Sequence, residues 1–280
     1  MLFRSPTPAE LACSDENNPC LIESFLTADP PLKQVVSHTA EIGLRGDSNS
    51  WSGRERISWG VGLFRTLNTD DIISVAAQTS GRGFFQNGGD TLRQGIEASI
   101  NYRSDQVFLY ANYNYVRATF ETPLTLSSPN SPTAVPCPGA DPAVPDPPLC
   151  ISVEDGDRLP GIPAHKFKAG FDYWMTRQWK FGADLIASSN QVFTGDEGND
   201  NRRLAGYAKV NLHTSYDITD KIQVYGLIDN LFDTRYGLFG NFFSLDAANA
   251  ASLGEITFTD PRTVVPGAPA AIYGGVKVKF

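Results

Sequence analysis

One pattern limits what this chain can become. From residue 35 to the carboxyl end, apolar and polar residues alternate with a period of two, the spacing that places neighbours on opposite faces of an extended strand. Val36, His38, Ala40, Ile42 and Leu44 share one face, and Ser37, Thr39, Glu41, Gly43 and Arg45 the other. A second run sets Ile57, Trp59, Val61 and Leu63 against Ser58, Gly60 and Gly62, and reads on through a bulge at Asn68 to Asp71 into "IISVAA". Further runs occupy residues 93–103, 107–115, 167–173, 179–188, 208–217, 224–228 and 272–280, giving about nine strands. Their polar phase carries Glu97 and Ser99, Asn112 and Asn114, Lys168 and Asp172, Lys180 and Asp184, and Lys209 and His213.

Alternation alone is compatible with a secreted β-sandwich and with a transmembrane barrel. Three features favour the barrel. The predicted strands outrun the five or six residues usual in globular sheets, reaching about twenty in the second and third runs. Connections alternate between tight ones (104–106, 177–179, 219–221) and very long ones (122–163, 237–270), the asymmetry of outer-membrane barrels. Trp51, Trp59, Trp174 and Trp179 all fall near the short-turn side, where an interfacial aromatic girdle would stand. Composition agrees, with 17 Phe, 10 Tyr and 25 Gly but only 2 Met. Mean hydropathy is −0.23, and no stretch approaches the roughly 18 consecutive apolar residues of a spanning helix, so a helical membrane protein is excluded.

The formal charge of −8 argues against a nucleic-acid partner. Cys13 and Cys20 close a short polar segment, and Cys137 and Cys150 close a Pro-rich one. Neither pair has CxxC spacing or a nearby histidine, so two local disulfides are expected rather than zinc, and with them an oxidising compartment. The amino terminus has no apolar signal segment, which implies an export signal lying outside these residues. No catalytic constellation is present: His38, His165 and His213 lie on different strands, and no HExxH or GxSxG spacing occurs. "GRGFFQNGG" (Gly81 to Gly89) has strands on both flanks instead of a strand and a helix, which reads as a flexible loop and not a phosphate cradle. No enzyme activity, cofactor or metal is predicted.

Five segments resemble landmarks of the TonB-dependent outer-membrane receptors, in that family's order: "TAEIGLRG" (Thr39 to Gly46), "LRQGIEASINY" (Leu92 to Tyr102), "DRLPGIPAHKF" (Asp157 to Phe167), "GLIDNLFDTRYG" (Gly226 to Gly237) and the terminal "YGGVKVKF". The resemblance implies an all-β, antiparallel up-and-down transmembrane barrel in the outer membrane of a Gram-negative bacterium. Full receptors of this kind have about 22 strands and a plug. The chain therefore reads as a partial barrel of about nine long strands. Residues 1–34 would be an extracellular loop segment with a cysteine pair, residues 35–280 the carboxyl-terminal part of the barrel, and the plug domain would be absent. The implied partners are outer-membrane lipid, a small-molecule nutrient, the inner-membrane energy-coupling protein TonB acting through the plug, and the barrel-assembly machinery, for which Phe280 would be the terminal signal. Lacking the first strand of the barrel, the sheet should have open edges, with no continuous pairing between residues 35–46 and 271–280. A self-contained small barrel or adhesin and a secreted β-sandwich binding module are the alternatives.

Ligand recognition is expected on the long-loop side and the lumen wall beneath it. Candidates are Phe84, Phe85 and Asn87, then Phe193, Asp196, Asn199 and Arg202, then Tyr236, Phe239, Asn241, Phe242 and Phe243. Aromatic faces with amide and carboxylate neighbours suit a metal chelate, a cobamide or a saccharide. The loops are rich in carboxylates, a sign that disfavours an anionic ferric chelate.

Overall fold

The structure is a computed structural model that describes residues 2–5, 7, 32–49, 54–79, 82–141, 143–252 and 257–280. Its main element is one antiparallel sheet built from β1 (Leu2–Arg4), β2 (Val35–Asn49), β3 (Arg56–Thr69), β6 (Thr91–Arg103), β7 (Val107–Phe120), β11 (His165–Trp174), β12 (Trp179–Ser188), β13 (Tyr207–Asp217), β14 (Ile222–Asp229) and β17 (Ala271–Val278), paired in that order. Nine of the ten are the strands expected from alternation. The tenth, β1, pairs Leu2 to Arg4 with Ser37 to Val35 at the long-loop end of β2, so the segment read as loop over 1–34 contains a strand. No helix among the described residues is long and apolar enough to cross a membrane.

Register divides the sheet into two continuous faces. Leu63 pairs with Ile96, Ile96 with Tyr115, and Ile100 with Ala111, and the same phase runs through Phe167, Leu185, Leu212, Ile228 and Ile272. The other phase holds Gly62, Glu97, Asn114 and Lys166, which also follow one another across the sheet. The apolar phase faces outward and stays open: Ile42 is 72% and Leu44 68% exposed, as lipid-facing positions must be when no second sheet covers them.

Three short turns share one chemistry. Ser104 Oγ accepts from Val107 N at 3.1 Å, Thr176 Oγ1 from Trp179 N at 3.0 Å, and Thr219 Oγ1 from Ile222 N at 3.1 Å. In each, a hydroxyl at the first turn residue takes up a backbone donor that the ladder has released. Beside these turns, Trp59 and Trp179 face outward among Tyr102, Tyr173 and Tyr216, as a girdle requires. Trp174 differs: it takes the lumenal phase, under Lys180 Nζ at 5.9 Å from its ring centre. Trp51 lies outside the described residues.

The second and third runs are shorter than expected. β3 ends at Thr69, and β6 has 13 residues. Asp70 adopts a left-handed φ of 51°, which breaks the extended chain. Asp71 then anchors the break, its carboxylate accepting from Ile72 N at 3.0 Å and from Arg93 at 3.0 Å. The residues beyond form a separate hairpin, β4 (Ile72–Ala76) with β5 (Gly83–Asn87), and β5 lies within the glycine-rich segment expected to be a flexible loop.

The other long connections also carry structure. Residues 121–164 hold a small sheet of β8 (Leu124–Ser127), β9 (Val135–Pro136) and β10 (Leu149–Val153), and residues 230–270 hold the hairpin of β15 (Gly237–Phe242) and β16 (Arg262–Pro266) with a short helix, α1 (Leu245–Ala251). Cys137 and Cys150 are bonded, with Cα atoms 4.9 Å apart. The Cys13 and Cys20 pair lies outside the described residues. Among the described residues β17 pairs only with β14, and β2 beyond Ser37 only with β3, so the sheet is open and residues 35–46 do not meet 271–280.

Candidate functional site

The long connections fold over the long-loop end of the sheet as a cap. Ala118 and Phe120, in the lumenal phase at the long-loop end of β7, pack with Val75 and Phe84 of the β4 and β5 hairpin and with Leu126, Ile151, Val153 and Leu159. Phe120 is fully buried. Phe193, Leu204 and Phe242 form a second cluster, in which the Phe193 and Phe242 rings lie 5.6 Å apart and nearly parallel. Polar bonds tie the segments together: Ser128 Oγ donates to Gly195 O at 2.8 Å, Asn201 Nδ2 to Thr133 Oγ1 at 3.1 Å, and Thr194 N to Gly240 O at 3.0 Å.

This packing sorts the twelve predicted ligand residues. Phe84, Phe193 and Phe242 are buried in the cap's own cores, and Asp196 is 1% exposed. Asn87 bridges two segments, donating to Asp70 O at 2.7 Å and accepting from Lys33 N at 2.8 Å. Asn199, at φ 62°, accepts from Arg158 N at 3.2 Å and donates to Arg158 O at 3.0 Å. Asn241 accepts from Thr263 Oγ1. Tyr236 stacks on Tyr207 at 4.2 Å, half-buried, and Phe85 is half-buried in its hairpin. Arg202, Phe239 and Phe243 are open to solvent.

The turn at Asp196 and Glu197 is an acidic knot out of water. Asp196 Oδ1 accepts from Asn201 Nδ2 at 2.7 Å, and its oxygens take the backbone N–H groups of Asp200 and Asn201. Burial raises its pKa, against those hydrogen bonds. Glu197 accepts from Gly195 N at 3.0 Å, yet burial dominates and pushes its carboxyl up to about 7, with the Asp196 charge adding to the rise. In the exposed β16 hairpin the balance reverses: hydrogen bonds from Arg262 hold Asp260 down at about 2.

Beneath the cap the lumenal face forms a groove of about 1010 Å³, lined by Arg45, Glu97, Asn114, Lys166, Lys168 and Tyr207 among others. Glu97 accepts from Asn114 at 3.0 Å, and Lys168 sits 5.6 Å over the Tyr110 ring. Nearer the short turns a polar chain crosses four strands. Lys180 Nζ lies 3.3 Å from Asp172, which binds His213 Nε2 at 2.7 Å; His213 Nδ1 lies 3.5 Å from Asp184, and Asp184 accepts from the Tyr110 hydroxyl. Glycines make room for it: a methyl on Gly170 would meet Asp184 Oδ1 at 2.6 Å, and one on Gly182 would meet Asp172 Oδ1 at 2.7 Å. The sequence alone does not mark these lumenal residues as a site. Their signal was the polar phase of the alternation, which marks a wetted face without ranking its members. Among the described residues no group of histidine, cysteine and carboxylate side chains is arranged to hold a metal ion.

An open antiparallel wall with an apolar outside, a polar inside, tight turns at one end and a folded cap at the other defines a segment of an outer-membrane receptor barrel. The sequence pattern of the TonB dependent receptor-like β-barrel matches residues 2–231, and the chain belongs to that family of Gram-negative outer-membrane receptors and transporters, which are not enzymes. It is 23% identical over 256 residues to the ferrienterobactin receptor of Escherichia coli K12, covering 85% of this chain and 29% of that protein. It is 27% identical over 233 residues to the ferric-pyoverdine M114 receptor PbuA of Pseudomonas sp. M114, covering 76% of this chain and 23% of the relative. The chain thus spans less than a third of the curated relatives it matches. In fold it resembles the copper transporter OprC, with a TM-score of 0.66 at 16% identity over 99% of this chain and 35% of that one. It also resembles the ferric-catecholate import receptor Fiu of E. coli K12, with a TM-score of 0.57 at 17% identity over 92% and 31%.

Proposed function

We propose that this chain is the carboxyl-terminal part of the barrel of a receptor that takes up a metal chelate across the outer membrane, driven by TonB through a plug. The observation that carries the reading is a polar lumenal groove roofed by a folded cap, in a family whose matched relatives are named for ferric chelates. Arg202, Phe239 and Phe243 would meet the ligand first, with Phe85 and Tyr236 behind them, and Glu97, Asn114 and Tyr207 would receive it in the groove. Phe280, fully exposed beyond β17, would engage the barrel-assembly machinery. A cobamide or saccharide has less support, since no relative named above carries such a ligand.

Charge narrows the chelate. Residues 121–164 hold six carboxylates and one arginine, so the cap's potential favours a neutral or cationic complex over a highly anionic ferric catecholate. The test is uptake of radiolabelled iron and copper, presented as chelates of graded charge, by a strain in which the whole natural receptor is the only route. Uncoupler-sensitive uptake of neutral or cationic chelates is expected. Uptake of none of the chelates would overturn the function, and preference for the anionic ones would overturn the charge argument.

A further inference from the structure

Directly above the apolar band, the outward face changes character. Arg65 of β3 pairs with Gln94 of β6, and Gln94 with Arg117 of β7, so the three form one row across the sheet, one outward step beyond Leu63, Ile96 and Tyr115. Two strand spacings, about 10 Å, separate the arginines. Both are exposed, and neither guanidinium has a hydrogen bond or ion pair among the described residues. Arg158 joins them, because its bridge to Thr119 places it on the face of Thr119 and Arg117. It is half-buried, its Nη2 donating to Val116 O at 3.5 Å, and burial and then the charges of Arg203 and Arg117 lower its pKa against the opposing effect of Tyr115. The first outward carboxylate on β7's path is Glu121, two outward positions above Arg117, and it accepts from Thr119 Oγ1 at 2.7 Å.

Just below the row stands an aromatic group at the height of a membrane interface. Tyr113 OH lies 2.7 Å from His165 Nδ1, and the Tyr115 ring is centred 5.0 Å from that of His165. The arginines are therefore held at head-group level in the outer leaflet. An anion seated between them would meet both charges at once, and a guanidinium presents paired donors that match a phosphate.

We propose that Arg65, Arg117 and Arg158, with the Gln94 amide between the first two, form a docking surface for the phosphates of an outer-leaflet lipid of the lipopolysaccharide type. Acyl chains of such a lipid would lie along Leu63, Ile96 and Tyr115 while its phosphates met the row. The inference rests on the outward orientation and the outer-membrane setting, and does not depend on the nature of the transported ligand.

The experiment uses the natural full-length protein extracted from its own outer membrane in mild detergent, with retained lipopolysaccharide counted by native mass spectrometry. The triple variant Arg65→Ala, Arg117→Ala, Arg158→Ala should retain at least fivefold less. A control stripped of three lumenal cations, Arg45→Ala, Arg103→Ala, Lys168→Ala, should retain as much as the parent. Heat-modified gel migration reports folding of each; if the triple variant fails to assemble, the single variants Arg65→Gln and Arg117→Gln should each show part of the same loss. Retention unchanged in folded outward variants, or an equal loss in the lumenal control, would overturn the proposal. So would displacement of the lipid by millimolar inorganic phosphate, which would make the row a site for the free anion.

Discussion

The wall and the cap handle apolar surface in opposite ways. In the wall, Ile272 is 80% and Val276 62% exposed, and the strands cohere through their backbone ladders while the side chains are left for lipid to cover. In the cap, Phe120, Leu126, Val153 and Phe193 are all at most 3% exposed. Every buried apolar residue among those described lies at or above the long-loop ends of the strands. Conventional hydrophobic burial thus holds together the water-facing part of the molecule, and the membrane takes over that role for the rest.

The largest effect should come from emptying the cap's core. Phe120→Ala removes a fully buried ring and should destabilise the cap by about 3–5 kcal/mol. Hydrogen exchange on the natural protein in detergent should show residues 121–164 losing protection while β11 to β14 keep theirs. Equal loss in both would mean that wall and cap are one cooperative unit.

A charge on the outward face should act on the wall alone. Ala98 pairs with Val61 in the middle of the apolar band, and Ala98→Lys should cost about 2–4 kcal/mol there. Ser99→Lys, one residue away and facing the lumen beside Gly60, should be nearly silent. The folded fraction of each, read by heat-modified migration, tests the register directly.

That contrast also shows what could be read from the sequence and why the rest could not. Period-two alternation locates nine strands and both faces because each wall residue answers only to its own phase and its cross-strand neighbours. The cap has no such rule. Phe84, Phe193 and Phe242 look like ligand contacts in the sequence because aromatic residues in polar loops resemble a binding surface, and only the tertiary structure reveals that Phe84 packs in one core of the cap and Phe193 on Phe242 in another. The extension of β3 fails for a local reason, the left-handed Asp70 followed by the anchoring carboxylate of Asp71. The arginine row needs the register of three strands at once, which a linear reading does not supply.

Acidity should move the cap and leave the wall still. Burial raises Glu197 to about 7 from an ordinary 4.5, so the folded cap binds a proton that the opened cap releases. Stability from this group is fully present below about 4.5 and is lost as pH rises through about 7, by up to about 3 kcal/mol. Protease clipping of the 189–206 loop should quicken across that window, and Glu197→Gln should flatten the dependence. A flat profile in the parent would show that Glu197 is wet.

The smallest effect should come from the most conspicuous ion pair. Arg262 grips both oxygens of Asp260, with Nε at 2.9 and 3.0 Å, and holds that carboxyl at about 2, a shift comparable in size to that of Glu197. The sign is opposite, since a depressed carboxyl stabilises above its ordinary 3.8 and loses that contribution as pH falls through about 2. Its environment differs too: the two side chains are 38% and 51% exposed, so water and salt already satisfy them when the pair opens. An ion pair between neighbours in a solvated hairpin is worth at most about 1 kcal/mol. Asp260→Asn should therefore leave exchange in Gly237–Phe242 within a few-fold of the parent at neutral pH, with the difference shrinking further in 0.5 M salt. A larger, salt-resistant loss would mean that this hairpin is buried against something in the intact receptor, and that the cap's sheltered interior extends beyond the surface seen in this chain.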